Sequence, residues 1–336
     1  MGNKERYISL FARLGEKLDS FGNDTISRNV IHKASAENPW FSAGDIMFSV
    51  RAIRETMLRE DILTKWLSAY DTDRVTEGRR VGVVMAGNIP LVGFFDMMCV
   101  LVCGYDCYVK PSSKDSVLIA YVISLLREID PGVRIYTYDD SILCDAVIAT
   151  GSDNTNRYFR ERFSGIPALL RGSRYSVAFL EGTETDEQMR GLSMDIFLYN
   201  GMGCRNVSLL LVPEGYDVRS LAGRIKPYGT NPKYFNNYRQ AKGLMSVQGR
   251  GFIDAGNFVI VEDRDFPPAV SVVNYSFYVD KTEAGKWLSE NNAKIQTVVS
   301  CDNIFPRYAG FGRAQCPYPW DYSDGEDVIG FLISLK

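Results

Sequence analysis

The stretch Asn200-Gly-Met-Gly-Cys204-Arg-Asn-Val-Ser-Leu-Leu-Leu-Val-Pro213 sets a thiol between a glycine-rich turn and a strongly apolar run, Val207–Val212. Glycine has no Cβ, so Gly201 and Gly203 let backbone and substrate approach the sulfur. An amide-rich turn favours the thiolate, the nucleophilic form. Taken alone, the pattern more often marks a packing cysteine ahead of a buried strand. His32 is the only histidine, so a Ser-His or Cys-His couple would have to use it. It sits in a polar segment far from Cys204 and reads as a surface residue. Cys99, Cys103 and Cys107 recur every four residues, as metal ligands on one helix face would. No histidine or acidic pattern accompanies them and the run turns strand-like near Cys107. They read as reduced, buried thiols of a cytoplasmic protein, with no metal site.

The elements that must position these groups belong to an ordinary globular chain. Of its 336 residues 46% are hydrophobic and 24% charged, and the net charge is −3. That balance gives no electrostatic case for binding nucleic acid. Met1-Gly-Asn-Lys-Glu-Arg6 is charged and lacks a signal-peptide core, and Arg6 breaks the myristoylation pattern. The most apolar window, Leu91–Val109, is interrupted by Asp96 and Asp106, which argues against a membrane span.

Residues 1–70 carry helical spacing, in Tyr7, Leu10, Phe11, Leu14 and Leu18 and again in Ile46, Val50, Ile53 and Met57. Ser42 is expected to cap the second set, with Asp45 three residues on. Asp71–Gly78 reads as a polar loop. Strands then alternate with helices: Val81–Ala86, Cys107–Lys110, Val133–Tyr138 and Ala146–Thr150, with helices between them and over Thr155–Phe163. This is βαβ patterning, which predicts a parallel sheet covered on both faces. Asn88, Lys110, Gly151 and Ser152 fall at the strands' carboxyl ends, where such sheets bind ligands. A weaker alternation follows, with strands expected at Tyr175–Leu180, Val207–Val212, Phe258–Val261, Ser276–Val279 and Gln296–Val299. A domain boundary is expected near Arg171–Arg174.

Five motifs in order resemble the aldehyde dehydrogenase superfamily, and within it the acyl-CoA reductases similar to the bacterial luminescence fatty-acid reductase subunit. They are Gly82-Val-Val-Met-Ala-Gly-Asn88-Ile-Pro90, Tyr108-Val-Lys110-Pro-Ser112, Ala146-Val-Ile-Ala-Thr-Gly151-Ser152, Gly201-Met-Gly-Cys204 and Gly310-Phe-Gly-Arg313. The Asn38-Pro-Trp-Phe41 segment and the short length resemble the acyl-CoA reductase branch. The resemblance implies an α/β, aldehyde-dehydrogenase-like fold: a doubly wound cofactor domain plus a smaller α/β catalytic domain. Residues 1–172 would hold the N-terminal helices and the NADP-binding domain, 173–320 the catalytic thiol, and 321–336 a tail returning to the first domain.

It also implies roles. Cys204 would attack an acyl carbonyl and hold a thioester. Asn88, with the Cys204 backbone N–H, would stabilise the oxyanion. Lys110 would face the adenosine ribose, and Gly151 and Ser152 would offer amides at a helix start to the pyrophosphate.

Two departures from the superfamily pattern matter. Leu169 or Leu170 stands where aldehyde-oxidising members carry a water-activating glutamate, and Glu181 lies past the position. Ser113, followed by Lys114, replaces the acid that binds ribose hydroxyls in NAD-preferring members. The expected reaction is therefore NADPH-dependent reduction of a fatty acyl-CoA or other acyl thioester to the aldehyde, with NADH as the alternative cofactor. An acyltransferase or acyl-protein synthetase would be a fitting partner, and self-association is in keeping with the superfamily. The rival expectations are an aldehyde dehydrogenase working oxidatively and a non-catalytic scaffold subunit of an acyl-transfer complex.

Overall fold

In the computed structural model, which describes residues 3–72, 78–139, 141–227 and 231–335, Tyr7, Leu10, Phe11 and Leu14 line the buried side of the first helix, α1 (Asn3–Lys17). Each such side chain, fully buried, stabilises by roughly 1.5–3 kcal/mol. Most of the polar loop read at Asp71–Gly78, and the Met1-Gly2 start, lie outside the described residues. The chain divides into two compact units: Met1–Ser173 with Cys316–Tyr322 and Glu326–Lys336, and Arg174–Gln315 with Ser323–Gly325.

In the first unit α1 is followed by α2 (Thr25–Glu37), α3 (Ala43–Met57) and α4 (Glu60–Leu67). Ser42 starts α3 through a capping box, its side chain accepting from the Asp45 N–H while Asp45 accepts from the Ser42 N–H. Then come β1 (Arg80–Val84), α5 (Phe94–Val102), β2 (Asp106–Lys110), α6 (Ser116–Ile129), β3 (Ile135–Thr137), β4 (Ala146–Thr150), α7 (Asp153–Arg162) and β5 (Ala168–Arg171).

The five strands are parallel in the order β3-β2-β1-β4-β5. From β1 the winding runs one way to β2 and β3 and the other way to β4 and β5, so loops diverge after β1 and β4. This is the switch point at which doubly wound sheets open a ligand crevice. Period-two alternation along β4 sends Ile148 to the large cluster with α1, α5 and α6, and Val147 and Ala149 to Phe159 and Phe163 beside α7. Helix α5 is buried nearly all round, with Asp96 inside it bonded to Arg171, and that is why its window reads almost apolar enough for a membrane. No helix among the described residues is long and apolar enough to cross one. The C-terminal helix, Val328–Ile333, puts Val328, Ile329 and Leu332 into the same core, and Tyr105 donates to the Leu332 carbonyl at 3.1 Å.

The second unit comprises β6 (Tyr175–Phe179), α8 (Asp186–Phe197), β7 (Val207–Pro213), α9 (Val218–Arg224), α10 (Pro232–Val247), β8 (Ile253–Asp254), β9 (Val259–Glu262), β10 (Val272–Tyr278), α11 (Lys281–Glu290), β11 (Ile295–Val299) and β12 (Tyr308–Ala309). Its seven strands run in the order β12-β11-β6-β7-β10-β9-β8, parallel except where β8 meets β9. Four residues carry too little periodicity to announce β5. Helix α10 buries Tyr234, Tyr238, Ala241 and Met245 within a polar sequence that masks its period. Strand β10 begins at Val272, ahead of the expected Ser276, where it pairs with β9 from Val259, and its buried Asn274 sets its amide on the Asp265 carbonyl at 2.7 Å.

Candidate active site

Cys204 lies in the turn that enters β7, at the amino end of that strand. The turn is closed by the Asn206 N–H on the Gly203 carbonyl at 3.0 Å, with Cys204 and Arg205 at its corner. The Cys204 carbonyl accepts from Ser176 Oγ at 2.9 Å, which ties the turn to the neighbouring strand β6. Arg205 donates to Thr297 Oγ1 on β11 at 3.0 Å.

Ahead of the turn the backbone is left-handed over three successive residues: Tyr199 at φ 56°, Asn200 at φ 56° and Gly201 at φ 69°. For the two that are not glycine this conformation costs about 1–2 kcal/mol each. A Cβ on Gly201 would press on the Val270 carbonyl oxygen at 3.2 Å and touch that of Ile196 at 3.4 Å. Such strain persists only where surrounding bonds over-determine it, and here it aims a turn bearing a thiol.

The Gly310–Arg313 motif is anchored to the same helix that delivers this turn. Asp195 of α8 accepts from the Gly312 N–H at 2.6 Å and the Ala314 N–H at 3.1 Å. The carboxyl is 1% exposed, and burial pushes it up to about 7 although both amides pull the other way.

In the first unit the other expected site residues gather at one sheet edge. Val84 of β1 is in register with Lys110 of β2 and Ala149 of β4, so the strand ends leading to Asn88, Lys110 and Gly151 are side by side. Asn88 is half-buried in the loop after β1; Lys110 and Ser113 are exposed. Ser152 is exposed and caps α7, accepting from the Thr155 N–H. A Cβ on Gly87 would lie 2.6 Å from Ser112 Oγ, so only glycine lets the Asn88 loop rest on the Lys110–Lys114 loop. Buried Asn38 donates to the Lys114 carbonyl at 3.1 Å, and Ser49 Oγ to the Pro90 carbonyl at 2.8 Å. Asp139, after β3, is held below the ordinary carboxylate range, chiefly by Ser141 and also by the charge of Lys110.

The cysteines separate clearly. Cys99, Cys103 and Cys107 are buried, and desolvation pushes their thiols well up. Cys204 is partly exposed, as are Cys144, Cys301 and Cys316. Burial pushes Cys144 up to about 11 and raises Cys301. His32 is exposed on α2. Among the described residues no group of three or more metal-ligating side chains is assembled.

Glu181 follows the carboxyl end of β6, whereas Ser176, which holds the Cys204 carbonyl, is near its amino end. Five residues of strand separate the two by about 16 Å. Glu181 is also paired with Lys281. It is out of reach of Cys204 as a water-activating base. Residues that the sequence did not single out are Ser176, Asp195, Asn206 and Asp115, which hold the loops. Asn206 and Asp115 are short polar side chains within a few residues of a motif, whereas Ser176 and Asp195 carry no such signal.

The chain matches the acyl-CoA reductase (LuxC) family over residues 48–225. No curated protein matches it in sequence. Among solved structures it is similar to aldehyde dehydrogenase 21 from Physcomitrella patens in complex with the reaction product succinate, at 14% identity and TM-score 0.65, covering 90% of this chain and 74% of that one. It is similar to an NAD-dependent benzaldehyde dehydrogenase from Corynebacterium glutamicum, at 13% identity and TM-score 0.64, covering 90% and 77%. An acetylating aldehyde dehydrogenase from Geobacillus thermoglucosidasius gives 11% identity and TM-score 0.61, covering 94% and 83%. At these identities the shared property is the fold.

Proposed function

Because this chain belongs to the acyl-CoA reductase (LuxC) family, we propose that it reduces a fatty acyl-CoA, or a related acyl thioester, to the aldehyde with NADPH. The observation that carries the reading is the Cys204 turn: a partly exposed cysteine on a hydrogen-bonded corner that follows three left-handed residues, while Cys99, Cys103 and Cys107 are buried.

Cys204 Sγ, as thiolate, attacks the thioester carbonyl, and the carbon–sulfur bond to the leaving thiol breaks with that thiol taking the electron pair and a solvent proton. The acyl group is then carried on Cys204. Asn88 donates its side-chain N–H to the oxyanion of each tetrahedral species. A bound nicotinamide cofactor supplies the hydride that the acyl carbon needs. Cys204 leaves as thiolate when the reduced carbon collapses to the aldehyde. With Glu181 past the carboxyl end of β6 and Cys204 held at its amino end, β6 brings no base to hydrolyse the thioester, which favours reduction over acid formation.

The first unit's residues fit such a cofactor. Gly151 presents bare backbone where a Cβ would meet Thr155 at 2.9 Å, although its own N–H is donated to the Arg171 carbonyl at 3.1 Å, and exposed Ser152 opens α7, whose first turn lies at the switch point. Lys110 and Lys114 would receive a 2′-phosphate beside Ser113. Asp139, close enough for Lys110 to lower its pKa, is the observation that favours NADH as a second reading.

The test mixes the protein with octanoyl-CoA and no cofactor, then reads intact mass. An octanoyl adduct present in the wild type and missing in Cys204→Ala supports the reading. Acid made from octanal and NADP⁺ without coenzyme A, and no adduct, would replace it with aldehyde oxidation.

A further inference from the structure

Asn206 is 4% exposed and every polar atom of its side chain is engaged. Its amide nitrogen donates to three carbonyls at the carboxyl end of α8: Asp195 at 3.0 Å, Ile196 at 3.2 Å and Leu198 at 2.9 Å. Its Oδ1 accepts the Gly203 N–H at 2.8 Å. Three acceptors on one nitrogen fix the orientation of the amide, because the oxygen could not occupy that place. The residue therefore joins the end of a helix to the residue before the thiol.

The carboxyl end of a helix carries partial negative charge on carbonyls that lack intrahelical partners. A thiolate two residues from Asn206 is destabilised by that charge unless the carbonyls are capped. Capping them with a neutral amide removes most of the penalty, and the other end of the same amide fixes the corner on which the thiolate stands.

We propose that Asn206 is the positioning residue of the Cys204 nucleophile, capping the carboxyl end of α8 and fixing the Gly203–Cys204 corner. This deepens the reading of Cys204 as the acyl carrier and rests on it for its catalytic meaning. Asn206 touches no reacting atom. Its effect passes through the charge felt by the sulfur and the direction in which the sulfur points.

The experiment measures iodoacetamide labelling of the Cys204 peptide against pH in the full-length protein, for wild type and Asn206→Ala, with circular dichroism confirming the fold. The variant should label about fivefold more slowly at pH 7 and its profile should move to higher pH, the size expected of a lost helix-end interaction of about 1 kcal/mol. A variant that melts earlier but keeps the wild-type labelling profile overturns the proposal, since a merely structural role would do just that.

Should Asn206→Ala fail to fold, hydrogen exchange in the wild type decides. The Gly203 N–H should be strongly protected, and exchange at the rate of an open loop overturns the proposal. An octanoyl-CoA arm keeps the two ideas apart. Wild type that labels normally but never acylates sinks the function and leaves the positioning role to the labelling profile.

Discussion

Asp115 Oδ2 accepts the backbone N–H of Leu91 at 2.7 Å, and through this bond the loop that carries Asn88 is tied to the segment that follows Lys110. Leu91 is left-handed at φ 59°, a conformation that a branched side chain adopts only when held. Asp115 is 3% exposed, and its Oδ1 has no partner among the described residues. Burial pushes the carboxyl from its ordinary 3.8 up to about 8, against the pull of the Leu91 amide.

A pH dependence of stability follows from that shift. Below about pH 4 the folded and unfolded chains both hold the proton. Between about 4 and 8 only the folded chain holds it, so stability should fall as pH rises through that window and level off above it. Asp115→Asn keeps an acceptor for Leu91 but cannot titrate. Urea midpoints from pH 5 to 8.5 should therefore fall less steeply in the variant than in the wild type. Parallel slopes would show that Asp115 is already ionised in the folded protein.

Cofactor choice is expected to hinge on the charges near Lys110. Ser113→Glu adds an acid where a 2′-phosphate would sit, and Asp139→Asn removes one whose pKa Lys110 lowers. A single charge at short range in a watery site is worth about 1 kcal/mol, or about fivefold in affinity. Fluorescence titration should show NADPH weakened by Ser113→Glu and tightened by Asp139→Asn, both effects shrinking at high salt. NADPH affinities unmoved by either change would place the adenosine ribose elsewhere.

Much of this arrangement is legible in the chain itself because its signals are local. Period-two and 3.6-residue spacing announce the βαβ units, and the turns after Val84, Lys110 and Thr150 end strands in Gly, Asn, Pro and Ser. What is not legible is long-range. Nothing around Asp115 says that it binds Leu91, 24 residues away, and nothing around Asp195 points to Gly312, 117 residues on. Likewise Asp96 reads as a polar break in an apolar run, while its meaning is set by Arg171 at the end of β5.

That pair supplies a further prediction. Arg171 Nη1 lies 2.8 and 2.7 Å from the two Asp96 oxygens, with both side chains buried. Removing one partner strands the other charge, so Asp96→Leu should cost about 3–5 kcal/mol. Replacing both, as Asp96→Leu with Arg171→Met, should recover most of that loss, because desolvation of the pair offsets much of its attraction. Thermal unfolding of the two variants checks it. A double variant no more stable than the single one would mean that the pair itself holds the first unit together.

The sharpest contrast lies in two helical glycines of the second unit. Gly191 faces the Phe311–Gly312 turn, and a Cβ there would sit 2.7 Å from the Phe311 carbonyl carbon and 2.8 Å from the Gly312 nitrogen. These are backbone atoms, and Asp195, one helical turn on, holds the same turn by the Gly312 and Ala314 amides, so the turn cannot retreat without breaking those bonds. Gly243, on α10, has nothing within 4 Å of its would-be Cβ. Alanine in an open helical position gains about 0.5–1 kcal/mol over glycine. Gly243→Ala should therefore raise the unfolding temperature. At Gly191 the same intrinsic gain meets a clash worth about 1–3 kcal/mol, and the sign reverses. If Gly191→Ala stabilised the protein as Gly243→Ala does, the close approach of α8 to the Phe311 turn would be wrong, and with it the anchoring of that turn beside the Cys204 corner.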